Sequence, residues 1–175
     1  MPDIVLYIAT SLDGFIATPE GGIDWLNQIE TPEEDYGYGA FYAEVDALVM
    51  GRRTYDQVHS FGDWPYPGKP AYIVTHRPFT PDLPEVRVTT QSPIALVNTL
   101  QQQGDRRVWL VGGAALVAAF RTGGLIDEYI LTVIPVLLGA GIPLFAGPGP
   151  AASVGLQAAQ TFANGVVQLT YRVAK

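Results

Sequence analysis

Five short runs rich in apolar and β-branched residues mark the first two thirds of the chain: Ile4–Thr10, Ala47–Met50, Ala71–Thr75, Val86–Thr89 and Val108–Val111. Most are continuous rather than alternating, the pattern of strands covered on both faces. Between them, Thr54–Ser60, Pro93–Gln103 and Ala114–Arg121 read as helices. Ser92 is placed to cap the second of these, and Pro93 suits its first position because proline lacks the N–H that would be unpaired there anyway. Right-handed crossovers between such strands build a mainly parallel sheet with helices on both faces.

The last third changes character. Glu128–Leu138 and Gly155–Thr161 are strand-like, and Asn164-Gly165 precedes a further run, Val166–Val173. Asn-Gly between two β-rich runs signals a hairpin, with a type I′ turn expected because both residues tolerate positive φ. The predicted fold class is therefore α/β, with a central mixed sheet closed by an antiparallel C-terminal hairpin. No stretch resembles a linker and no period repeats, so a single domain over 1–175 is expected.

Composition narrows the function. Hydrophobic residues make up 48% of the 175 and charged ones 15%, which suits a packed core and excludes a disordered chain. Ten Lys and Arg against seventeen Asp and Glu leave a net charge of −7, the wrong sign for a nucleic-acid grip. The absence of cysteine removes disulfides, thiolate metal sites and a thiol nucleophile together. The longest apolar run, Val108–Phe120, contains two glycines and falls short of the ~20 residues of a membrane span. Met1-Pro2-Asp3 lacks the basic character of a signal peptide. A cytoplasmic protein with a small-molecule partner is expected, with neither nucleic acid nor membrane as partner.

Four segments could carry chemistry. Gly51-Arg52-Arg53-Thr54 follows a strand and opens a helix, where unpaired N–H groups and the helix dipole favour an anion. Gly112-Gly113-Ala114-Ala115-Leu116 repeats this strand-to-helix arrangement, with two glycines that let a ligand approach the backbone. Thr75-His76-Arg77 ends another strand with the donors a phosphate monoester needs. Ser11-Leu12-Asp13-Gly14-Phe15-Ile16-Ala17, with Trp25 beyond it, offers a turn and an apolar wall. Each has a plainer reading as a turn, a solvated loop or core. Their combination at strand ends points to a phosphorylated, partly aromatic cofactor.

Ser11–Ala17, Asp46–Tyr55, Val111–Ala114 and Leu138–Phe145 together resemble the dihydrofolate-reductase-like superfamily. The similarity is to its riboflavin-biosynthesis branch, the reductase C-terminal domain and its stand-alone bacterial relatives. The resemblance implies that fold, NADPH as cofactor and hydride transfer to a heterocycle such as a ribosylamino-pyrimidine. Dihydrofolate reduction and nucleotide binding without turnover are the competing functions. By the same resemblance, Ala9 and Ile16 flank the nicotinamide, while Gly51, Arg52, Arg53 and Thr54 meet the pyrophosphate and adenosine side. Thr75, His76 and Arg77 surround the 2′-phosphate. Gly112 and Gly113, joined by a peptide that is commonly cis in the family, lie under the diphosphate, and contacts continue through Ala114, Ala115 and Leu116. Trp25 lines the substrate pocket.

Counting back from Gly51 as folate reductases do reaches Asp35 as the assisting carboxylate, with Asp13 the other acid near the pocket. Glu30–Tyr38 departs from the folate-reductase pattern, so Asp35 also reads as the solvated first turn of a helix. Lys69 and Arg87 are the spare cations for a substrate phosphate. The zinc-dependent deaminase half of the bifunctional enzyme, which needs Cys ligands, is absent from this sequence. Relatives in this branch form homodimers, and the apolar Tyr129–Leu138 is the candidate interface, its alternative reading being core.

Overall fold

A computed structural model describes residues 1–29, 33–147 and 149–174. Its centre is an eight-stranded sheet. In chain order the strands are β1 (Asp3–Ser11), β3 (Ala47–Gly51), β4 (Ala71–Val74), β5 (Val86–Thr89), β6 (Arg107–Gly112), β7 (Glu128–Ile134), β9 (Val154–Thr161) and β10 (Val167–Val173). Their spatial order is β5-β4-β3-β6-β1-β7-β10-β9. The first six are mutually parallel, and β10 and β9 run antiparallel at one edge. Two short strands, β2 (Phe15–Ala17) and β8 (Ile142–Pro143), pair separately.

Residue alternation assigns the helices to the sheet's two faces. Ile4, Leu6, Ala47, Val49, Val108 and Leu110 pack against α3 (Pro93–Gln103) and α4 (Ala114–Thr122) through Leu96, Leu100, Val117 and Phe120. Val5, Leu48, Met50, Ile73 and Trp109 point the other way, onto α1 (Tyr38–Glu44) and α2 (Arg52–His59) through Phe41, Tyr55 and Val58. A third, smaller cluster gathers Trp25, Ile134 and Val166 beside Ala9.

The predicted class and strand set match this architecture, with corrections at the boundaries. The strand expected over Glu128–Leu138 stops at Ile134, because Pro135 cannot donate to the ladder. The hairpin turn is not type I′. Phe162 N–H donates to the Val166 carbonyl (2.9 Å), and in this loop only Gly165 takes positive φ (+88°). That is the three-residue loop with a left-handed glycine. The short elements β2, β8, α1 and a 3₁₀ turn over Asp24–Ile29 add to the reading. Of the Glu30–Tyr38 segment, residues 30–32 lie outside the described part.

Candidate functional site

The chain leaves β3 for α2 on one face of the sheet and leaves the adjacent β6 for α4 on the opposite face. Neighbouring strands whose connections diverge open a crevice between two helix N-termini, the usual ligand position in such sheets. Gly51 and Gly112-Gly113 meet there. A Cβ placed on Gly51 would lie 3.8 Å from the Gly112 carbonyl oxygen, and one on Gly113 would lie 3.4 Å from Thr54 Oγ1. Gly112 has φ +121°, which side-chain-bearing residues rarely adopt, and the Gly112-Gly113 peptide is cis. The β3–β6 register shifts beside it, so that Met50 pairs with Gly112 rather than Val111, re-aiming the glycines at the strand end. Two segments some sixty residues apart in sequence therefore share one backbone-lined cleft.

The first N–H groups of α2 and α4 have no partner within their own helices, so both dipoles present positive ends here. Arg53 is exposed and, among the described residues, its guanidinium makes no hydrogen bond or ion pair. Arg52 behaves otherwise. Its Nε donates to Asp56 Oδ1 at 2.7 Å, and its guanidinium sits 3.9 Å over the Phe79 ring. Arg52 thus ties α2 to the loop after β4, and its expected place among the phosphate contacts is not what its present bonding offers.

On the next strand, buried Thr75 uses its hydroxyl locally: it accepts from Arg77 N–H at 3.0 Å and donates to the Arg77 carbonyl at 3.3 Å. This turn leaves the His76 and Arg77 side chains exposed, with no side-chain partner among the described residues. Thr75 therefore shapes the loop rather than offering a spare donor. Lys69 and Arg87 are employed elsewhere, Lys69 on the Val45 carbonyl and Arg87 on Tyr72 Oη (2.6 Å).

The other wall forms where β1 ends. Ser11 Oγ donates to Asp13 Oδ1 at 2.6 Å and accepts from Phe15 N–H at 2.9 Å. Asp13 then receives N–H bonds from Leu138 (3.1 Å) and Gly139 (2.8 Å). Ser11 above all, and the two backbone donors with it, hold its pKa below the ordinary carboxylate value. Asp13 is thus a staple joining the β1–β2 turn to the loop after β7. Gly141 packs so closely that a Cβ there would fall 2.3 Å from the Ala17 carbonyl oxygen. The Gly139-Ala140-Gly141 run serves this approach, and its role was legible in the sequence only as a family likeness.

Asp35 also holds backbone. Its two oxygens accept from Gly37 N–H (2.9 Å) and Gly39 N–H (3.0 Å), capping α1, and these bonds lower its pKa. It is exposed and stays ionised at neutral pH. The Tyr7 hydroxyl, whose pKa burial raises, donates to the Tyr36 carbonyl at 3.2 Å, and Gln168 Nε2 donates to that carbonyl at 3.0 Å and to Thr132 Oγ1 at 3.0 Å. Ala9, Thr132 and Gln168 lie in register across β1, β7 and β10. Thr132 and Gln168 carried no sequence signal, because isolated polar residues in strands read as solvent-facing.

Ile16 packs against the α3–α4 side, whereas Ala9 joins the Trp25 cluster on the other. Trp25 is 6% exposed and packed among Ile134, Val136 and Leu138, so its ring is core. Its indole Nε1 is buried without a hydrogen-bond partner among the described residues. No group of metal-binding side chains exists among the described residues, and no described helix is long and apolar enough to cross a membrane.

Known proteins share this arrangement. The chain is 44% identical over 142 residues, 81% of each chain, to the uncharacterized protein YwjB of Bacillus subtilis. A crystal structure of a Shewanella sp. PV-4 protein named for riboflavin biosynthesis superposes with TM-score 0.90 at 33% identity, covering all of both chains. RibD of Acinetobacter baumannii, at 22% identity and TM-score 0.79, shares the fold over 99% of this chain and 58% of its own. The RibD C-terminal domain model matches residues 2–168, and the chain belongs to that reductase-like family.

Proposed function

We propose that the protein is an NADPH-dependent reductase that delivers hydride to a heterocycle of the ribosylamino-pyrimidine class. One observation carries the reading: Gly51, Thr54 and Gly112-Gly113 converge between two helix N-termini, with the side chains of Arg53 and Arg77 bearing no partner among the described residues. The set fits a dinucleotide. Backbone donors and a hydroxyl suit the diphosphate, and Arg77 with His76 suits a ribose 2′-phosphate. Ala114, Ala115 and Leu116 extend the diphosphate contact along the first turn of α4. Ala9 and Ile16 stand on either side of the ring position expected for the nicotinamide.

When bound, NADPH supplies the hydride, and the chain supplies position and electrostatics. Asp13 and Asp35 are committed to backbone donors with lowered pKa values, so they hold the walls. Trp25 is core, so it backs the substrate side of the cleft from within rather than touching the ligand. The same cap on Asp35 weighs against dihydrofolate reduction, which uses a carboxylate able to share a proton.

Titration with NADPH and with NADH, followed by nicotinamide fluorescence, tests the cofactor. Absorbance loss with the ribosylaminouracil and then with dihydrofolate tests the substrate. Binding without turnover of either would replace the enzyme reading by that of a nucleotide-binding protein. The absence of binding would end the proposal.

A further inference from the structure

The cations of this chain are distributed unevenly. All ten Lys and Arg and both His lie within 52–121 or beyond residue 171, so residues 1–51 and 122–171 contain none. Those two stretches hold most of the Asp and Glu. They also supply the second wall of the cleft: the end of β1, the β1–β2 turn, the segment before α1, the loop after β7 and the β9–β10 hairpin.

The sheet converts this pattern into a charge step across the cleft. At the C-terminal strand ends, Arg52, Arg53, His76 and Arg77 follow β3 and β4, whereas β1 and β7 lie two and three strands from β3. At the usual strand spacing that is roughly 10–14 Å, beyond a Debye length at physiological salt. The cations nearest in sequence to the second wall are equally remote. Arg172 stands opposite Glu128, itself paired with Val5, which places it about 20 Å down the strand from Ser11. Arg121 lies in the last turn of α4 and donates to the Gly147 carbonyl.

What the second wall offers instead is negative or neutral. Asp13 and Asp35 stay ionised, because the donors that hold them favour the charged form. Tyr7, Thr132 and Gln168 present uncharged hydroxyls and an amide. The start of α1 is closed to an anion as well, since the Asp35 carboxylate already accepts from Gly37 and Gly39 N–H. A phosphate monoester carries roughly −1.5 to −2 charges, and it would meet two carboxylates here with no cation of the described residues in reach.

Resting on the reductase reading above, we propose that the substrate is a heterocycle without phosphate, ribosyl rather than phosphoribosyl, and that the acidic wall rejects the phosphorylated form. Arg53 and Arg77 then serve the cofactor alone. Hydrolysis of the phosphomonoester must come first wherever the heterocycle is made phosphorylated.

Initial rates at saturating NADPH, with the ribosylaminouracil and with its 5′-phosphate, test this. At about 20 mM salt kcat/KM is expected to be at least about 10-fold higher for the unphosphorylated compound, and the gap should shrink at about 0.5 M as charge is screened. Leu137→Arg adds a cation to this wall at a site 70% exposed. It should raise kcat/KM for the 5′-phosphate about threefold and leave the other compound unchanged. A 5′-phosphate used as well as the unphosphorylated compound, or better, overturns the inference and leaves the reductase reading standing. So does a preference indifferent to salt. Turnover of neither compound removes the reductase reading itself, and the inference with it.

Discussion

The two ends of the parallel strands handle charge in opposite ways. At the N-terminal end, charges gather into an ion-pair network: Arg107 reaches Glu128 at 2.8 Å, Asp3 at 3.4 Å and Glu44 at 3.5 Å. Arg172 joins Asp3, and the Asp46 carboxylate receives Arg106 and Arg107 N–H at 2.8 and 2.9 Å. At the C-terminal end, Arg53 and Arg77 have no side-chain partner among the described residues, and two helix N-termini open onto bare glycine backbone. Saturated charges serve stability. Unpaired ones stay hydrated and free to pair with an incoming anion. The contrast separates the half of the molecule that holds it together from the half proposed to bind the cofactor.

Substitutions at each end should therefore move different quantities. The largest effect is expected for Arg107→Ala. It leaves Glu128, whose side chain is 11% exposed, with Arg172 at 3.9 Å as its remaining cation, and should cost about 3 kcal/mol of unfolding free energy in a denaturant titration while NADPH affinity stays native. Gly113→Val should do the converse. It fills the cleft against Thr54 and should weaken NADPH about 100-fold, close to 2.7 kcal/mol, by fluorescence titration. Arg77→Ala comes next: a loss of about 10-fold or more for NADPH and little for NADH, because only the former carries a 2′-phosphate. Equal losses would remove Arg77 from that subsite.

The smallest effect is expected for Asp35→Asn. Since the folded pKa of Asp35 is lowered by the Gly39 and Gly37 N–H bonds, its contribution is complete above the ordinary carboxylate pKa. It fades as pH falls through the lower folded value. The pH–rate profile between 5 and 9 should therefore show no ionisation from Asp35, and the variant's kcat should stay within about threefold of native. A collapse of activity would restore Asp35 as the proton donor.

The contrast between the two ends was only half legible in the sequence. Continuous apolar runs located β1, β3, β4, β5 and β6 to within a residue, because burial on both faces leaves a pattern that depends on few long-range details, whereas β7 ends four residues short of its expected range. Glycines at strand ends marked the cleft for the same reason: they answer a local backbone demand. Arg52 and Arg53 were indistinguishable as adjacent cations. What separates them is Asp56 one helical turn on and a phenylalanine from another loop. Asp13 and Asp35 likewise each read either as an acid near the pocket or as part of a turn or helix start, and only the structure shows that Leu138, Gly139, Gly37 and Gly39 are the backbone donors they hold. Roles set by a partner distant along the chain cannot be read from a segment alone.

The position of β1 has a consequence for synthesis. The strand of this fold that comes first in chain order lies between β6 and β7, whose residues follow about a hundred positions later. Until then Ile4, Val5 and Leu6 have no sheet to enter, so truncated nascent chains should be captured by chaperones and cleaved readily by proteases. Acquisition of the fold is a late, whole-chain event, and pulse proteolysis of stalled chains should show resistance arising only once β7 has emerged.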